Sequence, residues 1–201
     1  MAKKYRVCLD AGHYGKYNRS PVYPTYYESD MTWKLTEYEA KELERYGIEV
    51  VKTRTDQATD KELVSRGLCS LFVSNHSNAA GSESANYAIA IHMSDKAGVS
   101  YDDKSKEIAA KVAAVVGKTM GCEGRTGTRS AGTWDRDGNG KYDDEYYGVL
   151  QGAKQAGVPG FIMEHGFHTN AAQAKWLSKA SNLKKLAAAE AAVIADWLGG
   201  K

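Results

Sequence analysis

The sequence predicts an α/β protein built on one twisted, mixed sheet of about six strands, with helices on both faces. Short apolar runs alternate along the chain with longer amphipathic segments, and this alternation is typical of strand–helix units. The chain has 201 residues, of which 42% are hydrophobic and 26% are charged. This length and composition indicate one globular domain over residues 1–201, with a core large enough to be stable alone.

Strands are predicted where a short apolar run ends at turn residues. These runs cover residues 5–9, 48–53, 71–75, 87–92 and 160–164, and a further candidate covers residues 147–150. Helices are predicted where apolar residues recur every three or four positions. These segments cover residues 29–46, 60–70, 104–119, 151–155, 170–179 and 183–198. The polar, Gly-rich segment at residues 121–145 is predicted to be a long hairpin or loop.

The charge, hydropathy and cysteine patterns exclude several classes of protein. A net charge of +2 is too small to indicate a nucleic-acid partner. No run approaches the roughly 18 apolar residues of a membrane helix, so no membrane partner is expected. Cys8, Cys69 and Cys122 are widely spaced, and neither a disulfide framework nor a thiolate metal site is expected from them. No pattern indicates an oligomeric state.

Four side chains that can bind a metal or transfer a proton stand at the ends of predicted strands or at a helix start. They are His13, Glu28, His76 and Glu164. In α/β sheets ligands bind beyond the strand ends, so these groups could converge. Two histidines and one glutamate are a standard catalytic zinc set that leaves a position for water, and a second carboxylate could act as general base. The alternative is an ordinary hydrogen-bonded or surface role for each residue, since no HExxH motif is present.

Four stretches carry a resemblance to a known family. They are VCLDAGH at residues 7–13, Glu28 at a predicted helix start, FVSNHSNA at residues 72–79 and MEHGFHTN at residues 163–170. In order and spacing they resemble the zinc-dependent N-acetylmuramoyl-L-alanine amidases, from residue 7 to about residue 177. The resemblance implies that His13, Glu28 and His76 bind one Zn²⁺ ion and that Glu164 is catalytic. It also implies hydrolysis of the amide between N-acetylmuramic acid and L-alanine in peptidoglycan.

Several residues depart from the usual pattern of that family. Ala11 stands where proline is usual, and Asn75 and Ser77 flank His76 where an aliphatic residue and alanine are commoner. His165 replaces a usually aliphatic neighbour of Glu164. His165 could support the metal ligands from behind or be exposed to solvent; because strand alternation directs it away from Glu164, we expect exposure.

The N-terminal residues lead directly into the first predicted strand, without an apolar segment before it. We therefore expect synthesis in the cytosol and action on the bacterial cell wall after release. The chain resembles the catalytic part of a phage endolysin, and a cytosolic autolysin fits equally. Two other functions stay open: a zinc peptidase that cuts within the stem peptide, and a wall-binding protein without catalysis.

Two polar loops receive structural interpretations. Residues 135–141 (DRDGNGK) resemble the start of an EF-hand calcium loop, but Tyr146 stands where the loop needs its glutamate, so a hairpin turn is favoured. The loop that follows the first strand is rich in aromatic residues, which suggests the wall of a groove. These residues are Tyr14, Tyr17, Tyr23, Tyr26, Tyr27 and Trp33.

Overall fold

The computed structural model describes residues 5–57, 69–94 and 102–199. In that part of the chain the strands are β1 (Arg6–Ala11), β2 (Glu49–Lys52), β3 (Leu71–Asn78), β4 (Ile89–His92), β5 (Gly127–Ser130), β6 (Thr133–Trp134), β7 (Asp144–Glu145) and β8 (Gly160–Phe167). The helices are α1 (Glu28–Arg45), α2 (Asp102–Met120), α3 (Gly148–Ala156), α4 (Ala171–Leu177) and α5 (Ala180–Leu198). No helix within these residues has the length and hydrophobicity needed to cross a membrane.

Six strands form one mixed sheet in the order β2-β1-β3-β8-β4-β5. Strands β2, β1, β3 and β8 run parallel to one another, β4 is antiparallel to β8, and β5 is parallel to β4. The predicted α/β class and the mixed sheet of about six strands are therefore confirmed. Strands β6 and β7 form a separate antiparallel hairpin.

The strands alternate their side chains between two apolar clusters, one on each face of the sheet. Val7 and Leu9 of β1 belong to the larger cluster, which also contains residues of α1, α2 and α5. Cys8, between them in sequence, belongs to the smaller cluster, together with Leu150 of α3. Helices thus cover both faces of the sheet, as predicted.

The prediction of a strand at residues 147–150 is wrong. Tyr147 precedes helix α3, and the residues predicted as a separate helical turn at 151–155 belong to that same helix. Leu150 and Ala153, three positions apart, are buried on one helix face, and Gly157 ends the helix in a left-handed conformation with φ of 71°. A short apolar run does not distinguish a strand from a buried helical turn. Most of the helix predicted at residues 60–70 lies outside the described residues.

The parallel strands β1, β3 and β8 bring their carboxyl ends to one edge of the sheet. Both β3 and β8 continue past their predicted ends, to Asn78 and Phe167. The pairing shifts register between His76 and Asn78, which is a β-bulge. Because of this extension, polar residues at the strand ends are still held by the sheet.

Candidate metal centre

His13 is placed by a tight turn that follows β1. Its backbone has a φ of 59°, which is unusual for a residue other than glycine. The preceding Gly12 donates its N–H to the carbonyl oxygen of Asn75 at 3.0 Å. A Cβ atom at Gly12 would lie 2.3 Å from Cε1 of His76. Only glycine leaves room for the His76 ring at this point.

Glu28 is the first residue of α1 and lies between the two imidazole rings. Its Oε1 atom is 3.0 Å from Nδ1 of His76, and its Oε2 atom is 3.5 Å from Nε2 of His13. The backbone N–H of Ser77 donates to Oε1 at 2.9 Å, and the side-chain amide of Asn18 donates to Oε2 at 2.7 Å. These contacts fix a carboxylate that is only 1% exposed.

His13, Glu28 and His76 form a group that can hold a metal ion. One ligand atom from each residue lies within 4.8 Å of the other two. Burial would raise the pKa of Glu28, but the hydrogen bond and charge of His76 outweigh it and lower that pKa below its ordinary value. Two imidazole nitrogens and one ionised carboxylate oxygen fit a Zn²⁺ ion with an open position.

Glu164 lies beside this group on the neighbouring strand. It pairs in register with His76, so both side chains project from the same face of the sheet. Its Oε2 atom is buried and has no hydrogen-bond partner among the described residues. Burial raises the pKa of Glu164 to about 7, with the charges of nearby residues adding smaller effects of both signs. A carboxyl group of this kind can exchange a proton near neutral pH.

Several residues that support the ligands were missed by the sequence reasoning. Asn18 contacts both Glu28 and His13, at 2.7 and 3.2 Å. Tyr26 is buried, and its hydroxyl donates to Oγ of Ser77 at 2.7 Å. His168 lies behind them, with Nδ1 3.0 Å from the Ser77 carbonyl oxygen. No local motif marks Asn18 or Tyr26, because the loop between β1 and α1 alone brings them to the site.

The loop between β1 and α1 forms part of the rim around the ligands, but only some of the aromatic residues predicted for the groove wall take part. Tyr14 and Tyr17 are exposed, and the Tyr17 ring stacks on His13 with centroids 4.7 Å apart. Tyr26 is buried instead. Trp33 packs under the guanidinium of Arg54, 4.9 Å from the ring centroid. The predicted groove wall is thus reduced to the residues nearest His13.

The expectation that His165 is exposed is wrong. Its side chain does point away from Glu164, but helices cover that face, and the residue is 0% exposed. Its Nδ1 atom lies 3.0 Å from the His76 carbonyl oxygen, and its Nε2 atom lies 3.1 Å from both carboxylate oxygens of Glu190 in α5. Strand alternation gives the direction of a side chain, whereas its burial depends on what covers that face.

The interpretation of residues 135–141 as a hairpin turn is confirmed. The strands β6 and β7 on either side pair antiparallel to each other. The loop is closed by its own side chains: Asp135 accepts a hydrogen bond from the N–H of Gly140 at 3.1 Å, and Asp137 accepts one from that of Asn139 at 3.1 Å.

Comparisons with solved structures support the fold. The structure is similar to the CwlD amidase of Clostridioides difficile, solved in complex with the GerS lipoprotein, with a TM-score of 0.79 and 19% identity over 98% of this chain and 100% of that one. The structure is also similar to an N-acetylmuramoyl-L-alanine amidase of Clostridium difficile 630, with a TM-score of 0.74 and 22% identity over 98% of each chain. For the amidase AmiC2 of Nostoc punctiforme the TM-score is 0.72 and the identity 21%, over 99% of each chain. No curated protein has a significantly similar sequence.

A family model matches nearly the whole chain. It is the Amidase_3 model, described as N-acetylmuramoyl-L-alanine amidase, and it covers residues 7–196. The matched range includes the turn after β1, the start of α1 and the ends of β3 and β8, from which the candidate metal centre is built. The chain therefore belongs to the N-acetylmuramoyl-L-alanine amidase family.

Proposed function

We propose that this protein is a peptidoglycan hydrolase that cleaves the amide bond between N-acetylmuramic acid and L-alanine of the stem peptide. His13, Glu28 and His76 hold one Zn²⁺ ion, and Glu164 is the general base. The observation that carries the proposal is the convergence of three ligand atoms within 4.8 Å, beside a carboxyl group in register with His76. The family to which the chain belongs is named for this activity.

The residues of the site divide the chemistry between them. When bound, zinc polarises the scissile carbonyl and activates a water molecule. Glu164 accepts a proton from the attacking water and delivers it to the amide nitrogen as the C–N bond breaks. The products are the lactyl carboxylate of the sugar and the free amine of L-alanine. The raised pKa of Glu164, about 7, suits a group that must both accept and return a proton.

The site also limits how its ligands move. Glu28 is held at both oxygens by Ser77 and Asn18, so its carboxylate keeps one orientation. The ring of His76 lies against the backbone of Gly12, where no side chain intervenes. Ligands held in this way need little rearrangement on binding a metal.

The proposed biological role is that of a phage endolysin or a cytosolic autolysin. The size of the chain, 201 residues, resembles that of the catalytic part of an endolysin and supports this role. Production of the protein in bacteria with and without a pore-forming membrane protein tests this role. Lysis that depends on the pore is expected, and lysis without the pore would contradict release from the cytosol.

Analysis of the cleavage products tests the reaction itself. Purified cell walls are digested, and the new amino groups are identified by mass. A free amine on L-alanine with intact cross-links supports the amidase, whereas a new amine elsewhere in the stem supports a peptidase, which could use the same four residues. Walls that bind protein but release no fragment would support a non-catalytic binding protein.

Glu164→Gln provides the matched control for that digestion. This variant should keep one bound zinc ion and bind walls normally, but its turnover should fall about 100- to 10,000-fold, because it removes the base. Excess chelator should abolish activity of the natural protein, and added zinc should restore it. Full activity in chelator would contradict a metal mechanism, and near-normal turnover of Glu164→Gln would contradict the assigned base.

A further inference from the structure

We propose that the segment of residues 133–147, here called the aromatic hairpin, is a binding subsite for the glycan strand of peptidoglycan. The subsite consists of the exposed rings of Trp134, Tyr142 and Tyr146. It would hold sugars some distance from the scissile bond. The inference rests on the proposed function, because it names a second part of the same substrate.

The rings on the aromatic hairpin are unusually open to solvent. Trp134 is 51% exposed, Tyr142 65% and Tyr146 54%. They form one cluster: the centroid of Trp134 is 6.4 Å from that of Tyr142 and 6.1 Å from that of Tyr146, with ring planes at 81° and 85°. Exposed apolar groups gathered in a cluster mark a binding surface more often than scattered ones do. Aromatic rings carry a negative face, which attracts the C–H groups of a sugar ring.

The base of the aromatic hairpin is fastened to the rest of the protein. Glu145 is fully buried, and its carboxylate oxygens accept hydrogen bonds from the N–H of Ser94 at 2.9 and 3.1 Å. The N–H of Glu145 donates to Oε1 of Gln151 in α3 at 2.8 Å. The guanidinium of Arg136 donates to the carbonyl oxygen of Tyr146 at 2.8 Å. Rings carried on a fixed backbone lose less freedom when a ligand binds, which favours affinity.

Arg129 links the aromatic hairpin to the side of the sheet that carries Glu164. In the sheet, Glu164 pairs with Ile89, and Arg129 pairs with Ile91, two residues further along the same strand. Paired residues and residues two apart share a face, so Arg129 and Glu164 project from the same side of the sheet.

Contacts link Arg129 to the exposed rings. Its Nη2 atom donates to the hydroxyl of Tyr147 at 2.7 Å, and the Tyr147 ring lies 5.1 Å from the Tyr146 ring. From Tyr146 the cluster extends to Trp134. A long substrate that enters the metal centre on this side can therefore reach the exposed rings without crossing to the other face of the sheet.

The charge of the aromatic hairpin selects among possible ligands. The segment contains five acidic and two basic residues. Asp137 and Asp143 are exposed in the loop between its strands. A net negative segment repels phosphate-rich polymers and anionic bilayers. The sugar rings of a glycan strand carry no charge, so the glycan is the wall component that fits both the rings and their surroundings.

Kinetics on two substrates tests the inference. One substrate is polymeric peptidoglycan, and the other is a muramoyl-peptide monomer that is too short to reach the hairpin. We expect Trp134→Ala to raise KM on the polymer about tenfold with little change in kcat, because it removes an aromatic contact made equally in the ground and transition states. The triple variant Trp134→Ala, Tyr142→Ala, Tyr146→Ala should have a larger effect. Both variants should cleave the monomer normally.

Tyr46→Ala is the matched control variant. Tyr46 is 40% exposed and lies just before β2, at the edge of the sheet opposite the metal centre. The Tyr46→Ala variant should cleave both substrates at the same rates as the natural protein. Equal losses on polymer and monomer in Trp134→Ala would overturn the inference, as would unchanged KM on the polymer in the triple variant.

A binding measurement separates this inference from the proposed function. Walls stripped of peptides and of anionic polymers leave a peptide-free glycan that cannot be cleaved by an amidase, and conversion of its free lactyl carboxylates to methyl esters keeps it uncharged. The natural protein should sediment with this glycan, and the triple variant should do so at least tenfold less. If the natural protein cleaves neither substrate but binds the glycan through these rings, the proposed function fails and the subsite stands. If it cleaves the monomer but does not bind the glycan, the subsite fails alone.

Discussion

The two faces of the β3–β8 strand pair carry similar residue types in opposite surroundings. The front face, defined by His76 and Glu164, opens towards solvent, and His13 with a side-chain exposure of 30% completes its rim. The back face, defined by Asn75 and His165, is fully buried under α1 and α5. Each strand thus contributes one residue to the candidate metal centre and the next residue to the core.

On the back face every charge must be compensated inside the protein. His165 contacts both oxygens of Glu190, and the side-chain amide of Asn75 donates to Oε2 of Glu39 at 2.8 Å. Burial and the nearby charge of Glu190 raise the pKa of Glu39 to about 8. Burial alone would lower the pKa of His165, but the charge and hydrogen bond of Glu190 outweigh burial and raise it. The pKa of Glu39, about 8, favours its protonated form at neutral pH, and the raised pKa of His165 favours its charged form beside Glu190, whose carboxylate is 3.1 Å away.

The difference shows what solvent access contributes. On the front face the histidines and Glu28 can exchange their mutual hydrogen bonds for a cation, because one side of the group is open. On the back face the same kinds of groups are closed off and can only stabilise or destabilise the fold. Charges in low-dielectric surroundings are costly when a partner is removed. The front face should therefore control metal binding and turnover, and the back face should control stability.

The largest expected effect is on the front face. His76→Gln keeps a side chain that can donate to Glu28 but removes a good zinc ligand. We expect loss of bound zinc and a fall in activity of more than about 100-fold, since even outer partners of metal ligands cost about 10- to 100-fold. Elemental analysis measures the bound zinc, and the rate of wall digestion measures the activity.

The matched control for His76→Gln is His92→Gln. His92 is also at the end of a strand, but its Nδ1 atom lies 2.7 Å from the carbonyl oxygen of Met93. This variant should keep its zinc. Normal zinc content in His76→Gln, or loss of zinc in His92→Gln, would contradict the assignment of the front face.

The second effect is on the back face. His165→Leu leaves the Glu190 carboxylate buried without its partner, and the free energy of unfolding should fall by about 3–5 kcal/mol. The zinc content of the folded protein should stay at one ion. Urea denaturation and elemental analysis give both values. Replacing both partners, in His165→Leu with Glu190→Met, should recover most of the loss; a double variant as unstable as the single one would show that the ion pair does not cause the effect.

The convergence of side chains on the front face could be predicted from the sequence, because most of them belong to short motifs at strand ends. His13, His76 and Glu164 could be assigned to one edge of the sheet from the strand pattern alone. Glu28 could be assigned from its place at a predicted helix start, although it follows a loop rather than a strand. The prediction of one sheet with two covered faces is also confirmed, because hydrophobic periodicity indicates which residues face a core.

The back face could not be predicted in the same way. His165 and Asn75 both depart from the aliphatic residues usual in the family, and their partners Glu190 and Glu39 lie on helices far away in sequence. Nothing local to β8 shows that α5 supplies a carboxylate to this position. The contribution of Asn18 depends on a left-handed backbone with φ of 50°, which the sequence does not announce.

The third prediction uses pH to sharpen the contrast. The pKa of Glu39 is raised from 4.5 to about 8 by burial and by Glu190, while His165 acts against that rise. The folded protein therefore holds this proton more tightly than the unfolded chain does. The stability that Glu39 contributes through this proton is complete below pH 4.5 and is lost as pH rises through about 8. Over that range the free energy of unfolding falls by up to about 1.4 kcal/mol per pH unit.

Glu39→Gln tests that contribution, because glutamine is neutral at every pH and can still accept from Asn75. Between pH 5.5 and 7.5 the natural protein should lose about 2–3 kcal/mol more unfolding free energy than this variant. Urea denaturation across that range measures the difference. Parallel pH profiles for the two proteins would mean that Glu39 is ionised in the fold.

The smallest expected effect returns to the front face and concerns a residue outside the ligand set. Asn18→Gly removes the amide that donates to Glu28 while permitting the positive φ of that position. We expect zinc affinity to fall about tenfold, because an outer partner that orients a ligand is lost, with little change in the stability of the metal-free protein. Competition with a fluorescent zinc chelator measures the affinity. Unchanged zinc affinity in Asn18→Gly would contradict a role of the Asn18 amide in orienting Glu28.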